Sequence, residues 1–124
     1  MLDKWSCVNH IQDTIPRIIT VRASVCNWWN RNVNSGDYAA KGGWNGRVIY
    51  GKTVRDPNGK YWFMVWNISK NRWVFDFTGS PITPGRYLWG KRVTNLDFNI
   101  RGYDITDEIQ SRAGCIYTMS GKGQ

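Results

Sequence analysis

Tryptophan, asparagine and arginine occur together twice in this chain, as Trp28-Trp29-Asn30-Arg31 and, with glycine, as Gly43-Trp44-Asn45-Gly46-Arg47. An indole offers a flat apolar face on which a pyranose ring stacks, and amide and guanidinium groups hydrogen-bond its hydroxyls. The same groups serve other ligands. Indoles settle at the level of lipid headgroups with Lys and Arg on phosphates, and rings stack on unpaired bases while basic side chains follow the backbone. A second cluster, Tyr61, Trp62, Trp66 and Trp73, is flanked by Lys60, Lys70 and Arg72, with Lys70 and Arg72 at a hairpin tip. The candidate ligand-binding residues are therefore Trp28, Trp29, Asn30, Arg31, Trp44, Asn45, Arg47, Lys70 and Arg72. A plainer reading stands beside each cluster. One of Trp28 and Trp29 turns inward if the segment is extended, because neighbours then face opposite ways. The second cluster is an aromatic core with a solvated basic turn.

Chemistry beyond binding is poorly provided for. One histidine, His10, and one glutamate, Glu108, leave little for acid-base catalysis or soft-metal binding. A ribonuclease-like pairing of these two as base and acid, with a basic residue on the phosphate, has no support from their spacing. The chain lacks a phosphate-binding glycine loop, H-E-x-x-H, a nucleophile elbow and a Rossmann fingerprint. No catalytic residue, metal ligand or cofactor is assigned. Cys7, Cys26 and Cys115 are odd in number and lack C-x-x-C spacing, which speaks against a disulfide framework or a zinc site. Buried thiols are the default expectation, with one disulfide and a spare thiol as the alternative.

Seventeen Lys and Arg against nine acids give a net charge of +8, and the pI is about 9.7. That balance favours anionic partners: nucleic acid, a phospholipid surface, or acidic glycans. At 124 residues, 41% hydrophobic and 21% charged, the chain reads as one globular domain spanning 1–124. Eight tryptophans exceed what a core of this size needs, so some rings should be exposed. The N-terminus has no signal-peptide core and no apolar run reaches membrane-spanning length, so the chain as written reads as cytoplasmic. A mature secreted form with an added initiator Met would look the same.

The elements that must hold these groups follow from the pattern of apolar and turn residues. Leu2, Trp5, Val8, Ile11 and Ile15 allow a short amphipathic helix ending before Pro16. Ile19, Val21, Ala23 and Val25 alternate with polar residues, predicting a half-buried strand over Ile18 to Cys26. Asn27 to Gly46 shows no sustained period and reads as the longest loop, with room for a short strand around Asp37 to Ala40. Arg47 to Arg55 and Lys60 to Ile68 should pair as a hairpin around Asp56-Pro57-Asn58-Gly59. Trp73 to Thr78 completes a meander after the turn at Ser69 to Arg72. Tyr61 to Trp66 is apolar on both faces, with Trp62, Met64 and Trp66 on one of them, so it is either central with both faces covered or offers one face to a partner. Further strands are expected at Arg86 to Trp89, at Leu96 to Arg101 and at Cys115 to Met119, with a short helical turn capped by Thr106. The sum is an all-β antiparallel sandwich or barrel of about seven or eight strands.

From the residues alone the first reading is a non-enzymatic protein engaging a glycan or an anionic membrane surface. A single-stranded nucleic-acid binder comes next, then a small cytotoxic ribonuclease or an inhibitor that blocks another protein.

Overall fold

The computed structural model describes residues 15–122 apart from Val25 and Phe98. The expected N-terminal helix, His10 and Cys7 lie outside them. The fold is all-β: strands β1 (Ile18–Ala23), β2 (Gly36–Trp44), β3 (Arg47–Gly51), β4 (Tyr61–Asn67), β5 (Arg72–Thr78), β6 (Tyr87–Leu88), β7 (Lys91–Arg92) and β8 (Tyr117–Lys122), with one short helix, α1 (Trp28–Asn34). No helix among the described residues is long and apolar enough to cross a membrane.

Six strands form one antiparallel sheet in the order β5-β4-β3-β2-β1-β8, and β6 pairs with β7. The sheet curls until its edge strands meet: Phe75 on β5 and Tyr117 on β8 have ring centroids 4.6 Å apart. The free edge of β5 is covered by the segment that leads back toward β8. Trp73 N donates to Glu108 O, Gln110 N to Trp73 O, and the Arg112 guanidinium to Phe75 O. Covering the edge in this way removes an exposed row of unpaired backbone groups.

The expected meander is present as β3-β4-β5, and β4, like β3, has both faces buried. Trp62 and Met64 point into the main core with Ile19, Val21, Tyr38, Tyr50, Trp73 and Phe75, while Phe63 and Val65 pack on the outer face beneath Ile82, Leu88 and Val93. The face that carries Trp62, Met64 and Trp66 is therefore core, with Trp66 partly buried at its end. Pairing runs Tyr61 to Thr78 through Asn67 to Arg72 without a shift, as alternation on two buried faces requires.

Three expectations are corrected. The stretch Asn27 to Gly46 is not a loop: it holds α1 and the nine-residue β2, whose Tyr38 is fully buried. Its period was hidden because Asn27 caps a helix of poor helix formers, accepting from Asn30 N, and because Gly42 and Gly43 lie where the Thr94 backbone crosses. A Cβ at Gly42 would collide with the Thr94 carbonyl. Second, the described residues of 96–101 form no strand. Asp97 turns the chain by accepting from Asn99 N, while Leu96 and Ile100 still pack against the core. Third, Thr106 caps no helix: Asp104 accepts both its N–H and its hydroxyl within a turn. The cysteines also depart from the default, since Cys26 and Cys115 are bonded as a disulfide that ties the start of α1 to the approach to β8.

Candidate functional site

Three hairpin tips meet at one end of the sheet. Each is a place where the chain must adopt left-handed backbone geometry. Asn45 and Gly46, at φ of +53° and +85°, turn β2 into β3, as Asn-Gly does in a two-residue turn matched to strand twist. Trp89 and Gly90, at +50° and +79°, do the same between β6 and β7. Between β4 and β5, Asn67 Oδ1 accepts from Ser69 Oγ at 2.8 Å and Lys70 N at 3.0 Å, and Asn71 takes φ +55°. Trp89 is the outlier. A bulky side chain seldom occupies this region, and backbone strain of this kind gathers at sites that use it.

Between the tips lies a cleft of about 370 Å³, walled by Trp44, Trp66 and Trp89 and edged by Asn45, Asn67 and Ser69. Val65, Ile68 and Val74 supply apolar floor and rim. The indoles are braced. Trp44 donates its Nε1 to Leu88 O at 3.2 Å and meets Trp89 edge-on at 5.7 Å, and Trp89 also leans on Phe63 at 5.6 Å. Trp89 nevertheless remains 57% exposed. Trp66 is held from behind by the Arg47 guanidinium, 4.1 Å from its ring centroid, which also lies 4.8 Å from that of Trp73. Cation–π contact with a shielded charge is worth more than at an open surface.

Arg47 is itself anchored. It donates to Gly102 O at 2.7 Å and to Asp107 Oδ2 at 2.9 Å, and Asp107 accepts in addition from Trp73 Nε1 and Asp104 N. Burial pulls the Arg47 pKa below its ordinary value, and the neighbouring Asp107 charge opposes that pull. At 7% exposure Arg47 is not displayed to a ligand, so its place among the candidate binding residues is corrected to that of a support beneath Trp66.

The other candidates separate into two groups. Trp44 and Asn45 stand in the cleft, with Lys70 exposed on the β4–β5 tip and Arg72 half-buried across from Asn67. Trp28, Trp29, Asn30 and Arg31 sit on α1 and do not join them. Both indoles face outward, at 70% and 45% exposure, and Trp29 shares a smaller hollow with Asp56, Lys60, Trp62 and Phe77 beside the β3–β4 turn. Asn30 donates to Ala113 O, which docks the helix. Trp89, Asn67 and Ser69 were not among the expected site residues, and Trp66, expected with the core, packs against it and also borders the cleft. The signal for Trp89 was present in Leu88-Trp89-Gly90-Lys91, where a residue before Gly between short β-prone runs marks a tight hairpin tip.

Among the described residues, the cleft lining contains no carboxylate, imidazole or thiol. Among the described residues no group of His, Cys, Asp and Glu is arranged to hold a metal ion. Glu108, weighed as a general acid, is exposed and engages β5 through its carbonyl. No family model, curated protein or solved structure matches the chain.

Proposed function

We propose that this protein binds carbohydrate, holding a short stretch of glycan in the cleft between the three hairpin tips. The observation that carries the reading is the composition of that cleft: it is lined by three tryptophans together with two asparagines and a serine. Its volume falls within the range of small-ligand sites. Indole walls take the apolar faces of sugar rings, and Asn45, Asn67 and Ser69 reach ring hydroxyls. None of these groups exchanges protons near neutral pH, so recognition without catalysis is the activity they suit. The Cys26–Cys115 bond supports a working place in an oxidising compartment, which favours the secreted alternative over the cytoplasmic one.

A membrane-surface reading has one observation in its favour: Ile68, exposed to 62%, shares the β4–β5 tip with Lys70 and lies across the cleft from Trp89. Calorimetric titration against a panel of neutral and acidic oligosaccharides, alongside phosphatidylserine-containing vesicles, separates the two. Saturable binding of an oligosaccharide that Trp89→Gly abolishes supports the glycan site. Binding to vesicles alone would replace it with the membrane reading.

A further inference from the structure

Resting on the glycan reading, we infer that the cleft selects an anionic sugar, one bearing a carboxylate or a sulfate ester, with Lys91 as the charge that recognises it. The acceptor oxygens of both cleft amides are engaged within the protein, that of Asn67 on both lone pairs and that of Asn45 on one. Asn45 Oδ1 accepts from Lys91 Nζ at 2.8 Å, and Asn67 Oδ1 accepts from Ser69 Oγ and Lys70 N. What remains are the two Nδ2 groups and the indole N–H of Trp89, for which no described residue supplies an acceptor. Two amide groups and an indole thus offer five N–H bonds against two acceptor oxygens, that of Ser69 and Asn45 Oδ1 with its one remaining lone pair. A neutral sugar presents hydroxyls that both donate and accept, and it would leave its own donors poorly matched here. A carboxylate or sulfate is acceptor-only and suits this set.

The charge agrees with the hydrogen bonding. The Lys91–Asn45 contact fixes an ammonium at the cleft rim, no acid among the described residues lines the cleft to neutralise it, and Lys70 adds a second cation on the neighbouring tip. Lys91 is exposed and needs no rearrangement to meet a ligand.

The test uses two matched pairs: a galacturonic acid tetramer with its methyl ester, and a sulfated galactose tetramer with its desulfated form. Binding of each to the intact protein is measured by calorimetry at low and high salt. At least one anionic probe should bind about tenfold tighter than its neutral partner at low salt, the worth of one charge-assisted hydrogen bond. The gap should narrow in high salt and in Lys91→Gln, while Lys91→Arg preserves it. Equal affinities within both pairs would overturn the inference and leave the glycan reading intact. A gap that Lys91→Gln does not alter would overturn the assignment of the charge contact to Lys91. If none of the four probes and no sugar of the wider panel bound, both the inference and the reading beneath it would fall.

Discussion

Trp89 holds its indole at a backbone conformation that glycine would adopt at no cost, and that separates what the residue does for folding from what it does for binding. Trp89→Gly relieves the backbone while removing ring contacts with Trp44 and Phe63, so the two effects on stability oppose one another. We expect denaturation by urea to show a change within about 1 kcal/mol. Glycan affinity should fall by about 2 kcal/mol, roughly thirtyfold, as for a tryptophan at the centre of an interface. Arg47 predicts the reverse pattern. Arg47→Met removes the nearer of two guanidinium partners of Asp107 and leaves the exposed Arg101 at 3.8 Å, and urea unfolding should show a loss of about 2–3 kcal/mol. Neither role could be read from residue type. In sequence both are Trp or Arg beside a glycine, and only the turn geometry at Trp89 and the two indoles around Arg47 set them apart.

Elements with a clean period or a strong turn were legible. The alternation of Ile19, Val21 and Ala23 gave β1, and Asp56-Pro57-Asn58-Gly59 gave the β3–β4 turn, where Asp56 Oδ1 accepts from Asn58 N and Lys60 N and Oδ2 from Trp62 Nε1. Burial works to raise the Asp56 pKa, but those hydrogen bonds and the Lys52 charge outweigh it and hold the carboxylate below its usual value. The stability it lends is therefore present above the ordinary aspartate range and lost as pH falls through the depressed pKa. Asp56→Ala should cost about 1–2 kcal/mol near neutral pH and much less in acid, measured by urea unfolding at both. Helix α1 was not legible, because its support is tertiary. Lys52 Nζ donates to Val33 O at 3.3 Å and Ser35 O at 2.7 Å, closing the helix C-terminus from a residue just past β3. That the described residues of 96–101 form no strand was missed for a related reason. Alternating burial arises there from packing onto the sheet and not from pairing within it.

At the scale of the whole molecule, the all-β class and the two covered faces of β4 followed from composition and pattern, whereas the convergence of the β2–β3, β4–β5 and β6–β7 tips depends on β6–β7 packing over the outer face of the sheet, where Leu88 and Val93 meet Ile49, Phe63 and Val65. The disulfide closes a loop of 89 residues in sequence separation. In the chain-entropy account that constraint is worth about 4–5 kcal/mol, so guanidinium unfolding with and without reductant should differ by that order. Burial raises the pKa of Tyr38, Tyr103 and Tyr117 and pushes Tyr50 up to about 12. Each stays protonated in the folded chain while its unfolded counterpart ionises near 10, so stability is full below pH 10 and declines as pH rises toward 12. Tyr50 alone would account for about 3 kcal/mol of that loss. Both measurements concern the scaffold, and the central claim concerns the cleft it builds. The most direct check is an NMR titration of indole N–H resonances in tryptophan-labelled protein, with the oligosaccharide that binds most tightly in the calorimetric panel. The Trp66 and Trp89 resonances should move together and saturate, while those of Trp28 and Trp29 on α1 stay in place. Movement of Trp28 and Trp29 with Trp66 and Trp89 unmoved would contradict the account and return the site to the helix.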